Sequence, residues 1–319
     1  MGLHMKSHDG VRLLLYRDPQ FRGAAKLVEK RGTLSMLVGP TIRRRRLGTE
    51  LRRLREARSL RLHDVASSLG VAPSTVSRIE TGNAPTRTSY LTVMLELYGV
   101  ADPADRRALI EMAREGQRKG WWAASEELLS PGFGRYLGLE AEASALRVFQ
   151  AQVVHGLLQT PEYAAAVITA ARPDLVSEQV ERLVAVQVRR QEVLRGIEPL
   201  QLRLIVDESV LLRGFGPAVV MRCQLEYLLA ASRRLAVTMQ VLRLSACPQP
   251  VLSGSFSILS FAWPADPEVA SAEGIRGQIL AEERPVEVRA LASVFAALSH
   301  AALTPAESAD LISDLAGGR

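Results

Sequence analysis

Cysteine and histidine are scarce in this chain of 319 residues, which has two of the former and five of the latter. The two cysteines, Cys223 and Cys247, are too few for a disulfide framework and fit a reducing compartment. Cys247 precedes a proline and is interpreted as a small buried hydrophobic residue. Histidines, cysteines and carboxylates do not have the spacing of a metal site, so we expect no metal ion.

Long apolar runs are also missing. Residues 291–303 come closest to a membrane span, but they contain serine and histidine and are shorter than the ~18 residues that cross a bilayer. The chain has no glycine-rich phosphate loop and no nucleophile elbow. Asp207 and Glu208 are adjacent carboxylates, but neighbours on a strand point to opposite faces. We therefore expect no membrane association, no cofactor and no catalytic residues, so that the protein is not an enzyme.

The chain is rich in apolar residues, and its first third is rich in positive charge. Hydrophobic residues make up 47% of a sequence that is long enough for two or three domains. Residues 1–120 contain 23 Lys and Arg against 12 Asp and Glu, a net charge of +11. Residues 121–319 contain 17 and 22, a net charge of −5. A basic first third before an acidic remainder predicts a polyanionic partner for the first part alone.

The segment 61–83 has the pattern of two short helices joined by a glycine turn. Gly70 suits the left-handed backbone that ends a helix, and Pro73 suits the first turn of the next one. Val76 and Ile79 are expected to point inward from this second helix. Apolar residues of the first helix recur on one face at helical spacing: Leu62, Val65, Ala66 and Leu69.

Short polar residues and one arginine are left on the outer face of the second helix. This is the layout of a helix-turn-helix whose second helix enters the major groove of DNA. We expect Ser74, Thr75 and Arg78 to contact base edges and Ser77 to lie nearer the backbone. An ordinary helical hairpin without DNA contact is the alternative interpretation.

This segment resembles the XRE (lambda-repressor-like) helix-turn-helix family, whose pattern runs Leu-Ala-x-x-Leu-Gly-Val-Ser-x-Ser-x-Val-Ser-x-Ile-Glu-x-Gly. Val65 and Ala72 stand where the family has Leu and Ser, and Ala72 is a poor helix cap. Leu62 stands where many members have a Gln that helps to hold the phosphate backbone. The resemblance implies a transcriptional regulator that binds double-stranded DNA, which we expect in the cytoplasm at the nucleoid. An enzyme fused to a DNA-binding module is an alternative of a different class.

The symmetry of the complex follows from the size of the motif. One helix-turn-helix contacts only a few base pairs, which is too little to find a single site in a genome. We therefore expect a homodimer on an inverted repeat.

Arginines cluster around the first helix of this domain. The run 43–46 precedes the helix and is interpreted as an arm that binds phosphates, since guanidinium groups match phosphate oxygens. For Arg52, Arg53, Arg55 and Arg58 the choice between DNA contact and a solvated face stays open. The residues predicted to contact the DNA backbone are Arg43, Arg44, Arg45, Ser77, Asn83 and Arg87.

Three segments make up the predicted domain organisation. Residues 1–35 precede a second candidate start, Met36, and are interpreted as an unstructured or mis-started extension, with a genuine N-terminal arm as the alternative. Residues 36–118 form the helix-turn-helix domain, with five helices over 43–117 and Asp102 as a helix cap. Residues 119–319 form a C-terminal regulatory domain.

The second half resembles the long C-terminal domain of uncharacterised function found behind this helix-turn-helix in many actinobacterial regulators, which are described as antitoxin-like. The resemblance implies a small partner protein encoded by a neighbouring gene, and a small-molecule effector is the other candidate. It rests on Gly120-Trp121-Trp122, on residues 136–143, on Gly156-Leu157-Leu158-Gln159-Thr160-Pro161-Glu162-Tyr163 and on residues 238–242.

Helices alternate with short strands in this half, which predicts an α+β domain with a short mixed or antiparallel sheet covered by helices. The predicted strands are residues 202–206, 238–244, 255–261 and 275–280. The predicted helices are residues 161–171, 177–195, 217–232, 285–302 and 305–315, with Ser177 and Thr304 as caps.

Four residues of this half are candidates for ligand binding or for packing at the domain junction: Trp121, Trp122, Tyr136 and Gln159. The three aromatic residues would line a cavity between the domains, or would simply pack there. Gln159 would bind a ligand, or would satisfy backbone groups. His155 is interpreted as a partly buried, hydrogen-bonded imidazole.

Overall fold

The computed structural model describes residues 40–195, 197–246, 254–263, 266–273, 279–282 and 284–318. The predictions for residues 1–35 and for Cys247 lie outside these ranges. The chain divides into two compact units, of which one ends at Arg118 and the other begins at Lys119.

The first unit is helical, as predicted. Its described part contains α1 (Pro40–Ala57), α2 (Leu62–Leu69), α3 (Pro73–Glu80), α4 (Thr88–Leu97) and α5 (Pro103–Gly116). All five helices contribute apolar side chains to one core, whose most deeply buried members include Leu51, Val65, Val76, Leu91, Met94, Leu95 and Leu109. The helical spacing that identified α2 and α3 therefore located their buried faces correctly.

The helix ends of this unit are set by local signals. Gly70 ends α2 with φ 65°, and its N–H bonds to the carbonyls of Ala66 and Ser67. The Asp102 carboxylate accepts the N–H of Ala104 at 2.7 Å and caps α5. Ala72 caps α3 without any side-chain hydrogen bond. The predicted roles of Gly70 and Asp102 at helix ends are confirmed, and so is the prediction that Ala72 is a poor cap.

The second unit is an α+β domain around a mixed sheet, which confirms the predicted fold class. Its strands are β1 (Ala145–Gln150), β2 (Gln201–Asp207), β3 (Val237–Leu242), β4 (Phe256–Ser260), β5 (Val269–Glu273) and β6 (Ile279–Glu282). They are ordered β3-β2-β1-β4-β5-β6. β1, β2 and β3 are parallel, whereas β4 is antiparallel to β1 and continues into the antiparallel pairs β4–β5 and β5–β6.

Two strands, β1 and β5, were not predicted from the sequence. β1 contains Arg147, whose guanidinium bonds to Glu268 at 2.8 Å, and its residues do not show a clear strand pattern. β5 consists largely of small residues with weak strand propensity, so its conformation depends on pairing with β4. Most of the predicted strand 275–280 lies outside the described residues, and its last two positions fall in β6 (Ile279–Glu282).

Seven helices surround the sheet in the described part of this unit. They are α6 (Phe133–Glu140), α7 (Pro161–Ala171), α8 (Ser177–Arg190), α9 (Glu208–Leu212), α10 (Ala218–Ser232), α11 (Pro285–Ala301) and α12 (Pro305–Ala316). The prediction that Ser177 caps α8 is wrong, since Val176 is the cap and its N–H bonds to the Gln179 side chain at 3.2 Å. Thr304 caps α12 as predicted, accepting the Glu307 N–H at 3.3 Å.

The outer edge of β3 is closed by the C-terminal helices. The N–H of Val241 bonds to the Ser308 hydroxyl at 2.9 Å, and the Val241 carbonyl accepts the N–H of Leu303 at 2.9 Å. In the described parts of the chain no single helix is long and apolar enough to cross a membrane. Among the described residues, α11 and α12 taken together, across a 67° bend, pass that test of length and composition.

Candidate nucleic-acid interface

Helix α3 presents the polar face that the sequence predicts. Val76 and Ile79 are 0% and 2% exposed and anchor the helix to the core. Ser74 and Arg78 are exposed, while Thr75 and Ser77 are half-buried. The arrangement leaves one short, polar helix face accessible to a DNA groove.

A close approach between helices fixes α3 at its C-terminal end. A Cβ on Gly48 of α1 would lie 2.6 Å from the carbonyl oxygen of Ile79 and would also clash with that of Glu80. Only glycine permits α1 to cross α3 this closely. Gly48 was not predicted as a contact residue, because a glycine inside a helix has no distinctive local signal.

A buried ion pair ties the same two helices together. The Arg55 guanidinium donates to both carboxylate oxygens of Glu80, at 2.7 and 3.0 Å, and to the Leu60 carbonyl at 2.7 Å. The hydrogen bond with Glu80 raises the pKa of Arg55. Arg55 is 8% exposed, so it is part of neither a solvated face nor a DNA contact, the two alternatives that the sequence left open for it.

The prediction that residues 43–46 form an arm is wrong, because all four lie within α1. Arg43 pairs with Glu115, and Arg44 donates to the Gly116 carbonyl, so both are directed at α5. Arg43 and Arg45 are each 5% exposed. Such burial argues against the predicted contacts of these two residues with the DNA backbone, since a guanidinium in the core cannot reach a phosphate.

The other predicted backbone contacts remain accessible. Asn83 is exposed, and its side-chain amide donates to the Thr81 hydroxyl at 2.9 Å. Arg87 is exposed, with its guanidinium carbon 5.6 Å from the centroid of the Tyr90 ring. Both residues lie in the turn between α3 and α4, where they follow the polar face of α3.

Helix α2 adds polar side chains that the sequence analysis did not single out. Arg61, His63 and Ser67 are exposed. The His63 ring and the Ser67 hydroxyl are 3.4 Å apart, as their i, i+4 spacing allows. The i, i+4 spacing of His63 and Ser67 was the sequence signal that could have identified this polar helix face.

The candidate aromatic residues of the second unit are part of its packing. Trp121 and Trp122 meet edge to face with ring centroids 5.6 Å apart, and Trp122 is 9% exposed. Tyr136 is buried and stacks on Phe133 with centroids 6.1 Å apart. A Cβ on Gly134 would lie 2.9 Å from the Trp122 indole nitrogen. These contacts fit the packing interpretation.

Gln159 satisfies backbone groups, as one of its two interpretations held. It is 5% exposed, and its amide donates to the Val154 carbonyl at 2.7 Å. The backbone carbonyl of Gln159 accepts a hydrogen bond of 2.6 Å from the Gln191 side-chain amide. The side-chain nitrogen of Gln159 is therefore used to satisfy a backbone carbonyl.

Glu140 and Arg190 form a second buried ion pair, which the sequence analysis did not foresee. The guanidinium donates to both carboxylate oxygens, at 2.8 and 2.7 Å, and links α6 to α8. His155 is buried nearby, and its Nδ1 accepts the Leu157 N–H at 3.4 Å. Burial, and after it the positive charge of Arg190, holds the pKa of His155 well below its ordinary value. The imidazole is therefore neutral.

Two family descriptions match the chain. Residues 133–314 match the Domain of unknown function (DUF5753), and residues 46–109 match a Helix-turn-helix domain. The second match covers α2 and α3 and makes the first unit a DNA-binding helix-turn-helix domain of the kind found in regulators. No curated protein and no solved structure matches the chain.

Proposed function

The chain belongs to the family of the Domain of unknown function (DUF5753), and we propose that it is a sequence-specific transcriptional regulator of the XRE type. The observation that carries this proposal is the exposed polar face of α3, held in place by Gly48 and by the Arg55–Glu80 ion pair. A short helix anchored on one side and polar on the other is what major-groove recognition requires.

The proposed DNA contacts divide into two groups. Ser74, Thr75 and Arg78 contact base edges, with Arg78 as the residue that discriminates between bases. Ser77, Asn83 and Arg87 contact the phosphate backbone, which sets position and affinity but not sequence. Arg43 and Arg45 are left out because both are buried, and Arg44 because it donates to the Gly116 carbonyl.

We propose a homodimer on an inverted repeat, with half-sites about one helical turn apart. A single α3 contacts too few base pairs to define one genomic site, and a second copy doubles the length of sequence that is recognised.

The second unit is proposed to sense a small molecule or a small partner protein. Its net charge of −5 over residues 121–319 makes it unsuited to bind a duplex. A ligand of this unit would change DNA binding by its difference in affinity between two conformations, typically ~1–3 kcal/mol. An antitoxin-like protein that mainly binds a small cognate protein is the second candidate, supported by the resemblance of its sequence to such regulators. No catalytic step is assigned to the chain.

Selection from a random pool of DNA duplexes with the full chain tests the proposal. We expect enrichment of a palindromic motif. Pools that stay random after repeated selection, with binding that depends on salt alone, would contradict sequence-specific recognition.

A further inference from the structure

The outer face of α8 carries a row of valines beside α7. Val180, Val184 and Val188 line a groove of about 520 Å³ that also includes Ala165 of α7. Val188 is 44% exposed, whereas Val180 and Val184 are half-buried. Single apolar residues are normal on a protein surface, whereas a row at helical spacing indicates a contact surface.

Three charged residues accompany this valine row. Glu181, Arg189 and Glu192 line the same groove, and all three are exposed. The guanidinium carbon of Arg189 lies 4.9 Å from the centroid of a Trp121 ring, which holds the cation at the rim of the groove. Eight positions separate Glu181 from Arg189, about 12 Å along the helix axis. Ala185 lies midway between them and also lines the groove.

We propose that a second copy of this chain docks on the valine row, with the two α8 helices antiparallel about a two-fold axis at Ala185. The inference deepens the proposed function, because it rests on the homodimer and names the surface that forms it. In an isologous interface residue i of one copy meets residue j of the other, and j meets i. An axis at Ala185 therefore places Glu181 of each copy opposite Arg189 of the other.

Packing at such an axis is consistent with the side chains present. The two Val184 side chains lie on either side of the axis, and Val188 of one copy falls between Val184 and Glu181 of the other. Ala185, a small residue that also lines the groove, lies on the axis itself. Its size lets the helices approach to the about 8–10 Å at which helices pack.

Charge complementarity favours a second copy over an unrelated partner. Glu181 and Arg189 have opposite charges and lie at equal distances from Ala185. A two-fold axis at Ala185 therefore pairs each of them with the opposite charge of the second copy. An unrelated protein would need an acidic and a basic group at matching positions, whereas a second copy of this chain supplies both. Like charges at the same positions would instead disfavour self-association.

The test is charge reversal in the full chain, with the dimer dissociation constant measured by analytical ultracentrifugation. Glu181→Arg places Arg opposite Arg at both ends of the interface, and Arg189→Glu places Glu opposite Glu. Each variant alone should raise the dissociation constant at least about tenfold. A mixture of the two variants should form a heterodimer, because both of its charge pairs are again opposite.

A matched pair of reversals on α10, Arg222→Glu and Glu226→Arg, serves as the control, since both residues are exposed. These variants should dimerise like the wild type. Single reversals on α8 that leave the dimer intact, or a mixture that fails to associate, would overturn the proposed surface. A wild-type chain that is monomeric at micromolar concentration would also overturn it and would leave the groove to a different protein. Binding to a duplex with one half-site, measured separately, decides whether the chain is a DNA-binding regulator.

Discussion

The Arg55 guanidinium and the Glu80 carboxylate, on α1 and at the end of α3, meet through two hydrogen bonds of 2.7 and 3.0 Å. Their side chains are 10% and 4% exposed. A pair this well buried is costly to break, because removing one partner leaves the other charge without compensation. The ion pair thus joins the stability of the first unit to the position of its candidate recognition helix.

Removing the carboxylate should destabilise the first unit strongly. We expect Glu80→Ala to lower its free energy of unfolding by about 3–5 kcal/mol, the usual effect of breaking a buried ion pair. Chemical denaturation of the full chain, followed by circular dichroism, measures the effect. The control is Glu111→Ala, which removes the exposed Arg114–Glu111 pair and should leave stability nearly unchanged. Equal effects of the two substitutions would contradict the structural role of Glu80.

Gly48→Ala should also destabilise the protein, although alanine normally favours a helix interior by about 1 kcal/mol. The added methyl group would overlap the carbonyl oxygens of Ile79 and Glu80, so α1 and α3 must move apart. A loss of about 1–3 kcal/mol is expected from such overpacking. Gly214→Ala is the control, since its Cβ would have no neighbour within 4 Å. A Gly48→Ala variant that is more stable than the wild type would disprove the close approach.

Arg78 and Arg87 should differ in how they affect DNA binding. Arg78→Ala should cost about 1–3 kcal/mol on the selected site and relax preference at one base pair. Arg87→Ala should weaken binding to all duplexes alike and flatten the salt dependence by about one. Fluorescence titrations at several salt concentrations measure both effects. Arg107→Ala, at an exposed position of α5, is the control. Loss of affinity without loss of preference in Arg78→Ala would remove it from the base contacts.

Local signals accounted for much of the first unit. Gly70, Asp102 and the apolar faces of α2 and α3 are determined by residues within a few positions, and they were predicted from them. The prediction that residues 43–46 form an arm was wrong because local signals do not determine burial. The charge of this run is a local property, but its burial depends on α5, more than 60 positions along the chain.

The second unit was predicted less completely because its defining contacts are distant in sequence. β5 has few strand-forming residues and takes its conformation from β4. The Glu140–Arg190 pair spans 50 positions, and neither residue has a neighbour that marks it as buried. The row on α8 was visible as apolar residues in the sequence, but its exposure became apparent only once the core face of α8 was known.

The buried, neutral His155 should make the stability of the second unit depend on pH. Because its pKa is lowered by folding, the unfolded chain binds a proton that the folded chain does not. Stability should therefore be complete above the unfolded pKa of ~6.5 and should fall as the pH drops below it. The slope contributed by this one residue approaches about 1.4 kcal/mol per pH unit.

The variant His155→Asn isolates this contribution. Asparagine can accept the Leu157 N–H in the same capping position but does not titrate. All three tryptophans, Trp121, Trp122 and Trp263, lie in the second unit, so their fluorescence reports its unfolding alone. Between pH 8 and pH 5 the wild type should lose stability relative to the variant, since protonation of the unfolded wild-type chain is the only term that differs between them. A constant difference between the two proteins over this range would show that His155 is not held neutral by the fold.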